Sequence, residues 1–105
     1  MGNTYVVDLT HYLLPSGILA PGPAGRIGRY FGAIASAASV QPGGKWVIAA
    51  IECRRRPERM PCPGYIGLRR TDVPPRVEWC CTSCDDNGLI SNWKGTTWDL
   101  SRWRR

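Results

Sequence analysis

The sequence predicts an α+β fold in which one helix packs on a small antiparallel sheet that carries a zinc-ribbon-like site of four cysteines. Three observations support this prediction. A single helical pattern occurs in the N-terminal half, between turns rich in proline and glycine. Several short strand patterns, separated by turn residues, follow it. Four of the five cysteines fall into two pairs, as in a metal site built from two chain segments.

The chain has 105 residues, a length that favours a single domain over residues 1–105. Residues 1–44 are interpreted as an N-terminal strand, loop and helix. Residues 45–105 are interpreted as a zinc-ribbon-like half with a C-terminal tail. A domain of this size has a modest core, so that a bound metal would contribute appreciably to its stability.

The N-terminal half contains one predicted strand and one predicted helix. Residues 5–9 have the alternation and β-branched content of a short strand, and residues 11–22 carry the turn signals of a loop. The helix is predicted from residue 23 to about residue 39, with a proline in its first turn.

The predicted helix has an apolar face and an edge of small residues. Apolar side chains recur at helical spacing and predict the face that meets the core. They are Ile27, Tyr30, Phe31, Ile34 and Ala38. Ala24, Gly28 and Gly32 form the small-residue edge, which would allow a strand or second helix to approach closely. The glycines do not have the G-x-G-x-x-G spacing of a dinucleotide-binding loop.

The C-terminal half is predicted to be mostly sheet. Its predicted elements are strands at residues 45–53, 64–70, 76–80 and 89–93, and a docked tail at residues 97–105. A turn at residues 72–75 would join the second and third of these strands, so that the first three form a meander with the cysteine pairs at one end. The fourth strand is expected at an edge of the sheet.

The two cysteine pairs predict a structural zinc site. Cys53 and Cys62 flank a loop of eight residues, and Cys81 and Cys84 form a C-x-x-C. A tight turn aims both sulfurs of a C-x-x-C at one tetrahedral ion, whereas the more widely spaced pair requires a loop to bring its sulfurs together. Because four thiolates leave no open position for water on the metal, this site predicts a protein that is not an enzyme.

A fifth cysteine makes the choice of ligands less direct. If residues 78–81 form a strand, Cys80 and Cys81 point to opposite faces of the sheet, and only one of them can face the metal. Cys81 is the predicted ligand because its spacing to Cys84 is the more common one. The tight turn that carries a C-x-x-C at a zinc site is called a knuckle, and the residue after its second cysteine usually has a positive φ. Here that residue is Asp85.

Two other interpretations of the cysteines remain open. A disulfide is possible in an oxidising compartment, but the cysteine count is odd and the start of the chain lacks the pattern of a signal peptide. A redox C-x-x-C is the second alternative. It requires a thiol whose pKa is lowered, whereas Cys84 is followed directly by Asp85 and Asp86, whose charges raise a thiol pKa.

Basic residues predict an anionic partner. The formal net charge is +6, and arginine outnumbers lysine twelve to two. Half of the arginines lie within residues 53–70, and they are the predicted nucleic-acid or partner-binding residues: Arg54, Arg55, Arg56, Arg59, Arg69 and Arg70. In one hypothesis they bind the phosphates of DNA or RNA while exposed tryptophans stack on bases. In the alternative hypothesis the protein is an adaptor with a purely structural zinc, and its arginines and tryptophans contact a protein partner.

A third possibility is a solvated basic face that binds nothing. Pairing of these arginines with acidic residues across the sheet, Glu52, Glu58, Asp72 and Glu78, would neutralise the basic patch and favour the adaptor hypothesis.

Little else in the sequence indicates catalysis or membrane association. His11 is the only histidine, and no nucleophile is recognisable as its partner. No apolar run approaches the length of a membrane span. We therefore expect a cytoplasmic protein with no membrane contact and no small-molecule substrate.

The pattern of cysteines, arginines and aromatic residues covers most of the chain. It comprises residues 7–12, 53–57, 61–64, 79–84 and 98–100, with Asp86, Gly88, Ile90 and Trp93. This pattern resembles a family of small, uncharacterised bacterial proteins. The resemblance implies a zinc-ribbon-like C-terminal half with ligands at the two cysteine pairs. The knuckle of that family tends to read C-P-x-C-G, from which Thr82 and Asp85 depart.

Overall fold

One α-helix and five strands follow one another in the computed structural model, which describes residues 2–56 and 59–101. In chain order they are β1 (Thr4–Asp8), α1 (Gly22–Ser39), β2 (Val47–Glu52), β3 (Tyr65–Asp72), β4 (Pro75–Cys81) and β5 (Asn87–Ser91). A short 3₁₀ turn, Leu9–Tyr12, follows β1. The predicted α+β class is confirmed, and the predicted elements lie within about two residues of the observed ones.

The strands form a single mixed sheet in the order β1-β5-β4-β3-β2. The predicted antiparallel meander of β2, β3 and β4 is confirmed, and β5 continues it antiparallel to β4. The sheet is not antiparallel throughout, however, because β1 pairs in parallel with β5, with Val7 opposite Ile90. The prediction of β5 as an edge strand was therefore wrong. Ile90 is fully buried, and β1 covers the edge of β5 that would otherwise be open.

Helix α1 lies on one face of the sheet, and the core fills the space between them. Phe31, Ile34 and Ala38, on the predicted apolar face of the helix, are buried. The other two residues of that face, Ile27 and Tyr30, are half-buried and pack against the core. The sheet supplies alternate side chains to the same core, among them Val7, Leu68, Val77, Trp79 and Ile90.

The small-residue edge of α1 allows the close approach that the sequence predicts, although the approaching groups are aromatic rings. A Cβ atom on Gly28 would overlap the side chain of Tyr12, and one on Gly32 would overlap the indole of Trp98. Ala24 is exposed and takes no part in this packing. The two glycines lower the intrinsic stability of the helix, and the close packing of the aromatic rings against it compensates for this loss.

The C-terminal segment docks on the helix as predicted, as far as residue 101. Trp93 is 2% exposed, and Trp98 packs against the core. Ser36 donates a hydrogen bond to the carbonyl of Trp98 (2.6 Å). These two tryptophans therefore serve the core, while Trp103 lies outside the described residues. Across residues 2–56 and 59–101, no helix combines the length and apolar character needed to cross a bilayer.

Candidate metal centre

All four predicted ligands reach the same end of the sheet. Cys53 comes directly after β2, Cys62 lies just before β3, and Cys81 is the last residue of β4. Cys84 lies in the turn that follows β4. Because β3 and β4 are antiparallel, with Ile66 opposite Cys81, the start of β3 and the end of β4 lie side by side. The topology thus brings together two cysteine pairs that are 18 residues apart in the sequence.

The sulfur atoms have the separations expected around one tetrahedral ion. All four Sγ atoms lie within 4.8 Å of one another. Cys53 Sγ is 3.7 Å from Cys84 Sγ, and Cys62 Sγ is 3.6 Å from Cys81 Sγ. Thiolates at ~2.3 Å from a zinc ion at tetrahedral angles are ~3.8 Å apart. Since a disulfide requires about 2.05 Å, these distances correspond to a metal site and to free thiols.

Backbone hydrogen bonds close the loop between the first two ligands. The amide of Cys53 donates to the carbonyl of Gly64 (2.9 Å), and the amide of Cys62 donates to the carbonyl of Arg55 (2.8 Å). These two bonds hold the ends of the loop together, although the cysteines are nine positions apart in the sequence. They provide the closure that the wide spacing requires.

Three of the four sulfurs also accept a hydrogen bond from the backbone amide two residues further along the chain: Arg55 to Cys53 (3.5 Å), Gly64 to Cys62 (3.4 Å) and Ser83 to Cys81 (3.3 Å). At Cys84 the backbone amide of Asp86 acts in the same direction, towards a lower thiol pKa. An N–H group directed at sulfur stabilises the thiolate over the thiol. The backbone therefore favours negative charge at all four ligand positions.

Burial acts in the opposite direction at two of these thiols. It raises the pKa of Cys53 and that of Cys84. At Cys62 the Gly64 amide prevails and lowers the pKa. Four thiolates this close to one another repel, so that a divalent cation is what allows all four to ionise together. The arrangement is suited to a metal ion and poorly suited to four separate thiols.

A partly buried ion pair lies beside the C-x-x-C turn. Asp86 is 4% exposed, and its carboxylate accepts hydrogen bonds from Arg55 Nη1 (2.8 Å) and from the amide of Asn3 (2.8 Å). The Arg55 guanidinium also hydrogen-bonds Cys84. A positive charge beside the thiolates would offset part of the net −2 charge of a divalent metal ion bound by four thiolates. Asp85 has φ 64°, as its position after the second knuckle cysteine predicts.

Sequence reasoning identified Asp86 only as a negative charge beside Cys84. It did not find the hydrogen bond from the amide of Asn3 or the ion pair with Arg55. The two residues of the ion pair are 31 positions apart, and no local pattern links them.

Cys81, which the sequence predicts as the ligand from its spacing to Cys84, belongs to the sulfur cluster. Cys81 faces the helix side of the sheet with Trp79, whereas Cys80 lies between them in the strand and points to the other face, opposite Gly67. Cys80 is half-buried and lies outside the sulfur cluster. Burial raises its pKa, so that it remains a protonated thiol at neutral pH.

The arginines between Cys53 and Cys62 fall into two groups. Arg54, Arg56 and Arg59 are exposed, and within residues 2–56 and 59–101 no carboxylate lies at ion-pair distance from them. The Arg54 guanidinium lies over the ring of Tyr30, 5.5 Å from its centroid. Arg55 differs from the three because it is engaged with Asp86 and the metal site.

The other two predicted arginines serve the fold. They lie in the part of β3 that is remote from the cysteines. Arg69 forms an ion pair with Glu78, directly opposite it on β4. Arg70 pairs with Asp72 (2.9 Å) and donates to the carbonyl of Ser39 at the C-terminal end of α1 (3.0 Å). Positive charge at that end of a helix is favourable. Neither residue therefore shares one basic surface with Arg54, Arg56 and Arg59.

Comparison of the chain with protein-family models, with curated proteins and with solved structures finds no match. The resemblance to a family of small bacterial proteins therefore stays a prediction. What can be said of the protein's class comes from the fold and the site: it is an α+β protein with a four-cysteine cluster suited to one metal ion.

Proposed function

We propose that the protein is a non-catalytic zinc-binding module that binds nucleic acid through three exposed arginines held by its metal site. The observation that carries the proposal is the convergence of four sulfurs next to a loop in which Arg54, Arg56 and Arg59 are exposed, with no carboxylate of the described residues at ion-pair distance. The metal would fix both ends of this loop. It would thereby hold Arg54, Arg56 and Arg59, here called the loop arginines, in one region of the surface.

Zinc is the metal that the ligand set favours. Four sulfurs in tetrahedral arrangement are typical of structural zinc, with iron as the other common occupant of such sites. The hydrogen bonds from backbone amides to the sulfurs, together with the nearby Arg55 guanidinium, stabilise the thiolates that either metal requires. With four protein ligands the ion would have no open coordination position, which supports a structural role and a protein that is not an enzyme.

We expect one zinc ion per chain in protein purified without a metal-binding tag or chelator, as measured by elemental analysis. Removal of the ion with a strong chelator should cause cooperative loss of structure, because binding of a structural zinc contributes on the order of 10 kcal/mol to folding. Circular dichroism before and after chelation, with zinc added back, would measure this. A stoichiometric content of iron would contradict the choice of metal, and a protein that stays folded and metal-free would contradict the site.

The charge distribution supports nucleic-acid binding, although fewer arginines are available for it than the sequence predicts. Arg69 and Arg70 form ion pairs with acidic neighbours. Pairing of the arginines with acidic residues is the condition under which the sequence favours the adaptor hypothesis, and it is met in part. The loop arginines keep their charge exposed, so that they can contact phosphates without first breaking an ion pair with any described carboxylate. Exposed charges of this kind contribute to phosphate binding through counterion release.

Reversal of two loop arginines, Arg54→Glu with Arg56→Glu, is expected to weaken binding to DNA or RNA at low salt by more than tenfold. The slope of log K against log salt should fall by roughly 0.7 to 0.9 for each phosphate that the variant no longer binds. The matched control is the reversal of Arg26 and Arg29, which are exposed on α1. Fluorescence anisotropy across a salt series measures both quantities, and the zinc content of each variant checks its fold. Equal weakening by the two pairs of changes would contradict a role specific to the loop.

The adaptor remains a second candidate because of one apolar surface. On and beside β2, an edge strand, Trp46 is 49% exposed, Ile48 is 71% exposed and Tyr65 is 46% exposed. An open edge next to exposed apolar side chains is typical of a protein-binding surface. Absence of any affinity of the wild-type protein for DNA and RNA at low salt would favour this candidate over the first.

A further inference from the structure

An aromatic cavity lies beside the metal centre and shares Arg54, Arg55 and Asp86 with the surroundings of that site. It is formed between β1, α1 and β4 and has a volume of about 450 Å³. Its aromatic lining consists of Tyr5, Tyr12, Tyr30, Phe31 and Trp79. Sites for small organic groups usually have volumes of roughly 300 to 1,000 Å³ and mostly apolar walls with a few polar groups. The cavity has both properties.

The rings present both faces and edges to one another. Tyr5 is stacked on Trp79, with ring centroids 5.8 Å apart and planes at 20°. Tyr30 meets the same indole edge-on, at 87° and 6.4 Å. Tyr5 is 37% exposed, so the aromatic wall reaches solvent at β1. Since Phe31 and Trp79 are buried, Tyr5, Tyr12 and Tyr30 are the rings that provide stacking surface for a planar group entering from solvent.

The charges beside the cavity favour an anion. Arg54, Arg55 and Asp86 lie in its lining, and their formal charges of +1, +1 and −1 leave a net charge of +1. Arg55 and Asp86 are paired with each other. Arg54 lies over the Tyr30 ring, which orients the guanidinium through a cation–π contact and leaves its N–H groups available to an anion. An aromatic wall next to one exposed cation is complementary to an aromatic ring that carries a phosphate.

We infer that this cavity receives one unpaired nucleobase of a single-stranded nucleic acid, with the adjoining phosphate against Arg54. The inference rests on the proposed nucleic-acid function and specifies its target as single-stranded. It also gives the stacking role to the cavity, since Trp93 and Trp98 are part of the core. Because Arg54 directly follows Cys53, the metal site would position the phosphate contact next to the base-binding wall.

The test measures binding of single-stranded oligonucleotides of about 12 nucleotides, a length in the usual range for small single-strand-binding folds. Tyr5→Ala should weaken this binding by roughly 5- to 100-fold, the usual cost of removing one stacked ring. Its salt slope should be unchanged, because every phosphate keeps its arginine partner. Tyr5→Phe keeps the ring and should keep the affinity. The matched control is Tyr65→Ala, since Tyr65 is similarly exposed (46%) but lies outside the cavity.

A second variant guards against a Tyr5→Ala protein that fails to fold. Ile27→Trp would fill the cavity from the helix side, where Ile27 is half-buried, and should weaken single-strand binding in the same way. Unchanged affinity for single strands in folded, zinc-containing Tyr5→Ala and Ile27→Trp proteins would overturn the cavity inference. The proposed function would still stand in that case if the Arg54 and Arg56 reversals weaken binding. Wild-type protein that binds neither single nor double strands would overturn both.

Discussion

Cys81→Ser is expected to release the metal and to unfold much of the C-terminal half, whereas Cys80→Ser keeps both metal and fold. The two cysteines are neighbours in β4 but lie on opposite faces of the sheet. Cys81 Sγ is 3.6 Å from Cys62 Sγ and accepts amide hydrogen bonds from Ser83 and Cys84. A serine hydroxyl at this position is a poor ligand for a soft thiolate site.

The size of the difference follows from the share of stability that the metal supplies. Zinc binding to structural sites contributes about 10 to 16 kcal/mol, which is comparable to the whole stability of a small domain, about 5 to 15 kcal/mol. Zinc content and thermal melts followed by circular dichroism would separate the two variants. A Cys80→Ser protein that loses zinc, together with a Cys81→Ser protein that retains it, would show that the ligand is Cys80.

The sequence was sufficient where a feature depends on neighbours in the chain. Period-two alternation in β4 predicted that Cys80 and Cys81 point to opposite faces of the sheet, and the C-x-x-C spacing selected Cys81. The helical spacing of apolar residues placed Phe31, Ile34 and Ala38 in the core. The positive φ of Asp85 followed from its position after the knuckle cysteine. In each case the relevant forces act within about one turn or one strand, so that local pattern determines the result.

The features that sequence reasoning missed depend on residues that are remote in the chain. Parallel pairing of β1 with β5 joins positions 83 residues apart, as in Thr4 and Asn87. A strand pattern specifies which face is buried but not which strand lies beside it. The same limit applies to the Arg55–Asp86 ion pair and to the role of Arg70 at the end of α1. A charged residue is recognisable in a sequence, but its partner depends on the topology.

The aromatic cavity illustrates the limit most clearly. Tyr30 and Phe31 were predicted to lie on the core face of the helix, and Phe31 is indeed buried. Whether the space around such rings is filled or open depends on how far β1 and the loop between Cys53 and Cys62 lie from the helix. The position of β1 is set by its pairing with β5, and that pairing leaves no recognisable pattern in the residues that line the cavity.

Gly64→Ala is expected to weaken metal binding strongly, whereas Gly67→Ala, three residues further along, is expected to leave it unchanged. A Cβ atom on Gly64 would overlap Cys81 Sγ and would lie 2.8 Å from Ser83 Cβ, so that a ligand sulfur has to move. At Gly67 the nearest atoms to a new Cβ are 3.7 Å away, which is ordinary van der Waals contact. Neither glycine has a positive φ, so backbone strain does not enter the comparison.

Overpacking of a filled site typically costs about 1 to 3 kcal/mol, so the zinc affinity of the Gly64→Ala protein should fall roughly 5- to 150-fold. Competition with a chromogenic zinc chelator measures this affinity directly. Gly67→Ala controls for the general effect of replacing a glycine near the start of β3, where alanine restricts the unfolded chain and is tolerated. If both variants bound zinc with the affinity of the wild type, Gly64 would not enclose the sulfur cluster as tightly as the distances indicate. The glycine before β3 would then be required only by the turn, and the close fit between backbone and sulfur cluster would not contribute to metal affinity.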